Sequence, residues 1–543
     1  MRFPRSNGNS RRILCVFPAY APSFGTFSHA YHLFGRVRAF MPPQGLLVIA
    51  AYLPAQWPVR FIDENIAPAS AADFAWADAV FISGMHIQAP QIHDIVRRAK
   101  AADKVVVLGG PSVSGAPEMY PDCDYLHIGE LGDSTDRLIA CLDQDCAPPP
   151  AQVRFETSDR LPLSDFPVPA YDLIRLDRYL LGSLQFSSGC PYRCEFCDIP
   201  ALYGRQPRLK TPEQLTAELD AMLSQGSYPS FVYFVDDNFI GNRKATREML
   251  PHLIAWQKKN GHPLRFGCEA TLNIAKQTEI LALMRAAEFH TVFVGIETPE
   301  VDALKHMRKD QNATLPMLEA IGALNSYGLE VTSGIILGLD TDSVDTEARL
   351  KAFIDASNVP ILTINLLQAL PKTPLWDRLK RDGRVVADDT GLESNVVFLR
   401  PYDEVVATWR RAIAHAYAPE RLFQRFLHQV EATYANRLVG PVRGKLTWNN
   451  LSIALVLAFN IAWRIGVFAD YRRWFWKAVL PALRRGQIDA ALSIGVVGHH
   501  MITFAREALR GEQNASFYSA QARRSMSMEK PPQPAYENLR KLG

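Results

Sequence analysis

Cys190, Cys194 and Cys197 fall within one eight-residue window, in the stretch FSSGCPYRCEFCDIP from Phe186 to Pro200. The other five of the chain's eight cysteines, Cys15, Cys123, Cys141, Cys146 and Cys268, are scattered. A C-x3-C-x2-C spacing delivers three thiolates from one short loop. Structural zinc asks for four closed ligands, commonly in separated pairs, and no second C-x2-C pair or nearby Cys/His set provides the fourth. Iron–sulfur sites usually show a fuller cysteine set. Three thiolates on a cuboidal [4Fe–4S] cluster leave one iron open to an exchangeable ligand, so the missing fourth sulfur is itself informative. The ligand count favours that cluster over zinc and over chance clustering.

Two alternating series of strands and helices must position these thiols. In the first, RILCVF (12–17), VRFID (59–63), AVFISG (79–84), KVVVLGGPS (104–112) and DYLHIGE (124–130) read as strands, with helical GLLVIAAYL (45–53) and APQIHDIVRRAKAA (89–102) between them. Continuous apolar strands separated by helices predict a parallel sheet covered on both faces, whose ligands bind beyond the carboxyl ends of the strands. Those ends carry Ser83-Gly84, Gly109-Gly110-Pro111 and Gly129-Glu130. Glycine there admits a large flat ligand, or simply turns the chain. No GxGxxG follows the first strand, so a dinucleotide fingerprint is missing.

A Pro-rich break, CAPPPAQ (146–152), opens an ordered linker to about residue 181. The second series starts with SLQFSSGC (183–190) and continues through SFVYFVDDNF (230–239), LRFGCEAT (264–271), TVFVGIET (291–298), EVTSGIILGL (330–339) and ILTINLLQAL (361–370). The helix after the cysteine loop opens with Thr211 as N-cap, Pro212 at N1 and Gln214 at the capping-box position. Six strands alternating with helices predict an incomplete (β/α) barrel with its active site at the strands' C-terminal ends, where the cysteine loop lies. Cys268 and Glu269 also close a strand, although a lone cysteine there is more often a small buried hydrophobe.

At 543 residues the chain carries roughly three or four domains. Its 48% apolar content supports sizeable cores, and a net charge of +3 gives no case for a nucleic-acid partner. The first twenty residues lack the apolar stretch and cleavage site of a secretory signal, so a cytoplasmic, reducing setting is expected. LTWNNLSIALVLAFNIAW (446–463), without formal charge, and YRRWFWK (471–477) leave three readings open: a core helix, a peripheral contact at the inner face of a membrane, or a span. The pair His499-His500 reads as ordinary helix or loop rather than a metal site. The tail from residue 512 is polar and Pro-containing and is expected to be disordered.

With Phe196 in its aromatic slot, C-x3-C-x-aromatic-C resembles the signature of the radical S-adenosylmethionine (SAM) superfamily. The resemblance implies that the open iron chelates SAM. It also implies that an electron from the cluster cleaves the sulfonium to a 5'-deoxyadenosyl radical, which abstracts hydrogen from unactivated carbon. It places SAM contacts at Phe196, at Asp236, Asp237 and Asn238 in VDDN, at Glu297 in GIET, and at Gly334, Ile336 and Gly338 in GIILGL. A strand-end turn with capping carboxylates remains the plain alternative for VDDN, and close packing the alternative for the glycines. A Rossmann-like domain ahead of such a barrel resembles the cobalamin-binding branch of the superfamily. The matching stretches ISGMHI, VLGGPS and HIGELGD imply cobalamin contacts at Ser83, Gly84, His86, Gly109, Gly110, Pro111, Gly129 and Glu130. The D-x-H-x-x-G motif with its cobalt-ligating His is absent, which leaves the lower axial ligand open.

APSFGTFSHAY, AFMPPQGLLVIAAYLP, VDDNFIGNRKA, CEATLNIA, SGIILGLDTD and ALPKTPLWDRL resemble the bacterial hopanoid C-2 methylase group over most of residues 11–430. That resemblance implies a methyltransferase acting on an unactivated carbon of a polycyclic lipid. It further implies a small hydrophobic substrate of hopanoid type and an electron donor such as ferredoxin or flavodoxin. The division it implies is a Rossmann-like cobalamin-binding domain over 1–145, a Pro-rich linker over 146–181, a radical SAM (β/α)6 partial TIM barrel over 182–384, a mostly helical domain over 385–511 and the tail over 512–543. Cyclisation or rearrangement of another substrate, a non-catalytic iron–sulfur protein and a structural zinc protein are the competing classes.

Overall fold

The computed structural model describes residues 9–313, 316–386, 392–438 and 448–511. The expected disordered tail and the first two residues of the apolar stretch at 446 lie outside these. The chain divides into two compact units. One comprises residues 1–21, 38–191 and 198–237; the other comprises 22–37, 192–197 and 238–543.

In the first unit, β1 (Ile13–Phe17), β2 (Val59–Asp63), β3 (Ala79–Ser83), β4 (Val105–Gly109), β5 (Tyr125–Ile128) and β6 (Val153–Glu156) form one sheet in the order β2-β1-β3-β4-β5-β6. Every pairing is parallel. All five residues of β1 are buried. Ile13, Cys15 and Phe17 join one core cluster while Leu14 and Val16 join another, as period-two alternation in a sheet covered on both faces requires. The helix Ala89–Ala101 covers one face with Ile92, Ile95, Val96 and Ala99, at helical spacing. Strand order reverses between β1 and β3, the switch point where open parallel sheets hold their ligands.

The stretch expected to be only a linker contributes β6. Val153 and Phe155 face the sheet side, and Phe155 packs its ring 6.0 Å from Tyr125. A strand here satisfies amides and carbonyls that β5 would otherwise present at an open edge. Proline density in 146–151 marks only the entry to this strand.

The second sheet runs β14-β13-β12-β11-β10-β7. Its strands are β7 (Gly182–Leu184), β10 (Phe231–Phe234), β11 (Arg265–Ala270), β12 (Phe289–Glu297), β13 (Glu330–Leu337) and β14 (Ile361–Leu366). Pairing is parallel at β7–β10, β11–β12, β12–β13 and β13–β14. The expected strand at 183–190 is split: after β7, Ser187–Ser188 (β8) turns away to pair antiparallel with Arg208–Leu209 (β9). These two short strands bracket the cysteine loop. Thr211 caps the helix Pro212–Ser224 by accepting from Gln214 N at 3.3 Å, and Gln214 Oε1 accepts from Thr211 N at 2.9 Å.

Beyond the barrel strands come the helices Pro374–Arg381, Tyr402–Ala416, Pro419–Ala432, Trp448–Asn460, Arg472–Arg484 and Ile488–Arg510, with a π-helical turn, Ile461–Phe468, continuing the fourth of these. Two helices among the described residues, Leu451–Phe468 and Ile488–Arg510, are long and apolar enough to cross a membrane by length and composition. Most of the second is buried in the protein. His499 bonds Tyr471 Oη at 2.6 Å, and His500 turns its ring nitrogens to backbone groups of Ser23 and His29. Both residues lie inside the helix Ile488–Arg510.

Candidate active site

The chain enters the cysteine loop under the control of two carboxylates that follow β10. Asp236, almost fully buried, accepts the amide of Phe186 at 3.1 Å and that of Ser187. Asp237 accepts the Gly189 amide at 2.7 Å. Burial pushes Asp236 up to about 7 and Asp237 up to about 6. The second carboxylate oxygen of Asp236 is buried without a partner, a polar atom available to a donor. Gly189 has φ +100°, and a Cβ there would press on the carbonyls of Gly204 at 3.0 Å and Gln206 at 3.1 Å. Only glycine fits this entry to Cys190, whose amide donates to Gly204 O at 3.2 Å.

Glu130, at the end of β5, also reaches this entry. It accepts from Ser188 Oγ at 3.1 Å, pairs with Arg208 and lies 3.3 Å from Arg160. His86 stands close enough to Asp198, the residue after Cys197, to oppose the burial that raises that carboxyl. Glu130, expected at the first sheet's ligand rim, thus also touches the approach to Cys190.

From Tyr192 to Cys197 the loop is held by a different set. Glu195 donates its amide to Met307 O and accepts from Leu375 N, both at 2.9 Å. Its carboxylate takes a two-pronged contact from Arg378 at 2.6 and 3.1 Å. Arg378 continues to Asp340 at 2.7 Å, and Arg384 closes on the same carboxylate at 2.6 Å. Burial opposes the Asp340 charge, but the Arg384 and Arg378 hydrogen bonds outweigh it and hold its pKa below the usual carboxylate range. Gln311 Nε2 donates to Cys194 Sγ at 3.4 Å. Asn273 donates to the Tyr192 hydroxyl at 2.6 Å. Phe196 lies under the Lys309 ammonium, 5.5 Å from its ring centroid, and helps line a small hollow with Met307, Leu339, Leu367, Leu375 and Arg378.

Glu297 ends β12 in the left-handed region at φ +65°, where the register with β13 slips. A non-glycine residue held there is strained, and such strain concentrates at functional positions. Its carboxylate pairs with buried Lys309. Burial works against the Lys309 charge, but Glu297 and the nearby Cys194 thiol outweigh it, and its pKa is raised. Gly334 leaves room beside this carboxylate, since a Cβ there would meet Phe293 at 3.4 Å and Glu297 Oε2 at 3.6 Å. Ile336 is half-buried on the same strand. Gly338 is accounted for locally: it has φ +87°, its amide donates to Asp342 at 2.7 Å, and a Cβ would run into the Phe398 ring. Asn238 is buried, and its carbonyl accepts from Gly241 N at 2.8 Å. Cys268 is fully buried within β11.

At the first sheet's rim, Gly110 (φ +91°) precedes the helix Pro111–Gly115, and a Cβ on it would strike Ser83 Oγ. Gly129 (φ +105°) is backed by Thr157 at 2.9 Å, and Gly84 by Ile92 at 3.1 Å. These glycines make tight strand-end turns. Gly109, with nothing nearer than 3.7 Å, has ordinary space above it. Sequence reasoning missed Glu195, Lys309, Gln311, Arg378 and Asp340. The one signal present in the sequence was the charge of Glu195 inside the C-E-F-C segment.

Comparison with known proteins agrees with this geometry. The Radical SAM superfamily pattern matches residues 184–353, a B12 binding domain matches 33–139, and a domain of unknown function (DUF4070) matches 373–514. The hopanoid C-2 methylase of Rhodopseudomonas palustris (strain TIE-1) is 59% identical over 518 residues, covering 95% of this chain and 98% of that protein. In fold, the chain resembles the radical S-adenosylmethionine methyltransferase TsrM from Kitasatospora setae, with a TM-score of 0.58 at 16% identity over 88% of this chain and all of that one. It also resembles the cobalamin-dependent S-adenosylmethionine radical enzyme OxsB, with a TM-score of 0.58 at 13% identity over 98% and 83%. A B12-binding domain, a partial barrel with the three-cysteine loop and a helical C-terminal region define a cobalamin-dependent radical SAM methyltransferase. Within that class, the chain belongs to the hopanoid C-2 methylase family.

Its cofactors are a [4Fe–4S] cluster, SAM and cobalamin. The residues present fit all three. None of the three loop thiols is tied up in a disulfide. The orphaned Asp236 oxygen and the carboxylate of Glu297 offer acceptors at barrel strand ends. Gly84, Gly109, Gly110 and Gly129 leave the sheet's ligand end without side chains, so a large flat group can approach the backbone there.

Proposed function

We propose that this chain transfers a methyl group to an unactivated ring carbon, C-2, of a hopanoid. Supporting this reading above all is identity of 59% that runs through the cofactor domains and on into the C-terminal region, covering 98% of the hopanoid C-2 methylase. When bound, the cluster, SAM and cobalamin supply one-electron cleavage, hydrogen abstraction and the transferable methyl group, chemistry that an ordinary side chain cannot perform on a carbon without a lone pair.

The chain's own residues bind, orient and enclose. In this reading Cys190, Cys194 and Cys197 ligate the cluster. Asp236, Asp237 and the glycine at 189 fix how the chain approaches Cys190, while Glu195 and Arg378 fix the approach to Cys194 and Cys197. Glu297 accepts from SAM, with Phe196, Asn238, Gly334, Ile336 and Gly338 shaping its surroundings. Ser83, Gly84, His86, Gly109, Gly110, Pro111, Gly129 and Glu130 form the cobalamin rim. The proposed division keeps limits near residues 181, 384 and 511 and extends the first domain past 145 to include β6. A cytoplasmic enzyme that receives electrons from a ferredoxin- or flavodoxin-type protein and touches the membrane holding its lipid completes the proposal.

The test is lipid mass spectrometry on the host with and without the gene, joined to anaerobic assay of reconstituted protein with a hopanoid, SAM, methylcobalamin and a reductant. Loss of 2-methylhopanoids on deletion, and a mass gain of one methylene in vitro, are expected. Unchanged methylated hopanoids would remove the substrate assignment.

A further inference from the structure

Leu457, Ile461 and Ile465, each four residues from the next, form a buried stripe along the helix Leu451–Phe468. Asn460 donates to Leu33 O at 2.9 Å, and Trp476 Nε1 donates to Gly466 O at 2.9 Å, so this side is fastened to its own unit along much of its length. The other side is bare. Leu455 is 60% exposed, Phe459 65%, Trp463 51% and Phe468 65%. Phe459 stacks on Trp463 with centroids 6.3 Å apart, and Trp463 meets Phe468 edge-on at 5.0 Å, so the aromatic rings form one continuous ridge. Contiguous apolar surface of this kind marks an interaction site.

Charge selects the occupant. Between residues 448 and 487 there are six cations, Arg464, Arg472, Arg473, Lys477, Arg484 and Arg485, and one carboxylate, Asp470. Asp470 is already paired with Arg506 at 2.8 Å. Arg473 and Lys477 lie over the Trp474 ring at 5.4 and 5.0 Å. An aromatic and aliphatic ridge beside this excess of arginines and lysines has the chemistry of an anionic bilayer surface, where rings settle at headgroup level and cations meet lipid phosphates. With one stripe seated against its own unit, the helix offers only its other side to such a surface.

We propose that this face lies flat on anionic lipid, with Leu455, Phe459, Trp463 and Phe468 inserted and Arg464, Arg472, Arg473 and Lys477 at headgroup level. This specifies the membrane contact of the proposed function and rests on it, but its measurement does not need the hopanoid. Full-length reconstituted protein is sedimented with hopanoid-free vesicles of phosphatidylcholine alone or mixed with phosphatidylglycerol. Binding to the anionic vesicles is expected to be at least tenfold tighter and to weaken in high salt. Trp463→Glu and Phe468→Glu should each reduce it tenfold or more. Arg473→Glu with Lys477→Glu should abolish the preference for phosphatidylglycerol while retaining residual binding.

Iron content, thermal melt and methylation of detergent-dispersed substrate should stay as in the wild type for each variant. Because some glutamate variants can misfold, Phe459→Ser with Val467→Ser is the milder check and should give a smaller loss in the same direction. Equal sedimentation of wild type and Trp463→Glu overturns the proposal. So does a wild-type dimer that ignores vesicles and splits on Trp463→Glu, because the face would then belong to a second copy. Failure of the hopanoid reading appears only in the methylation assay and leaves sedimentation unaffected.

Discussion

Ser187–Cys190 and Tyr192–Cys197 are neighbours in sequence, yet they are anchored by different chemistry. The first segment hangs from carboxylates, Asp236 and Asp237, that accept backbone amides and face no guanidinium in those contacts. Burial raises both pKa values. The second segment hangs from Glu195 in an alternating chain with Arg378, Asp340 and Arg384, where ion pairing overcomes burial at Asp340. A buried carboxylate that holds backbone costs stability when it ionises, whereas a paired one loses its contribution when it is protonated. The loop that presents the three thiols is therefore stiffened by two devices with opposite responses to pH.

The most severe way to break this arrangement is to remove what it presents. Cys194→Ala should abolish cluster loading and SAM cleavage, read as iron and sulfide content and as 5'-deoxyadenosine formation; retained turnover would end the three-thiolate account. Next, Arg378→Met leaves the largely buried carboxylates of Glu195 and Asp340 without this partner, and should cost about 3 kcal/mol in a urea unfolding measurement. Asp236→Ala withdraws the acceptor from two buried amides and should cost about 2 kcal/mol while lowering iron incorporation, whereas Asp236→Asn keeps an acceptor and loses less.

The pH response sharpens the contrast. The folded pKa of Asp236 is raised from 3.8 to about 7, so the native state holds the extra proton between those limits and stability falls as pH rises through them. The slope is at most about 1.4 kcal/mol per pH unit. Apo-protein unfolding at about pH 5 to about pH 8 should show this fall in the wild type and a shallower one in Asp236→Asn, where Asp237, raised to about 6, still contributes. The Asp340 contribution runs the other way: it is present above the ordinary carboxylate pKa and is lost as pH falls through its lowered folded value. On the cluster itself, the smallest effect is expected from Lys309→Met. Removing a buried cation near Cys194 should make the reconstituted cluster harder to reduce, read as a more negative midpoint in a redox titration followed by electron paramagnetic resonance.

Local patterns made part of this legible. Thr211, Pro212 and Gln214 announced a helix start because a cap is a contact between residues three apart. The strands of the first sheet were readable because a parallel strand buried on both faces must be apolar throughout, as β1 is. The cysteine cluster was readable because its three thiols come from one loop. Arg378 was not, because it reaches Glu195 across 183 residues and nothing local distinguishes it from a solvated helix arginine. Lys309 was hidden for the same reason, its partner Glu297 being brought to it by a strand-end slip in register. The strand Val153–Glu156 was missed because four residues with one buried ring leave too little pattern beside a run of prolines.

Glu130 ends a strand of the first sheet and takes hold of Ser188, two residues ahead of Cys190. Any molecule on that rim that draws the Glu130 carboxylate toward itself must also loosen the approach to the first thiol. Thermodynamic reciprocity then requires that filling the sulfur-bearing loop alter affinity at the rim by an equal factor. One carboxylate thereby gives the rim and the sulfur-bearing loop a shared handle, whichever of them is filled first.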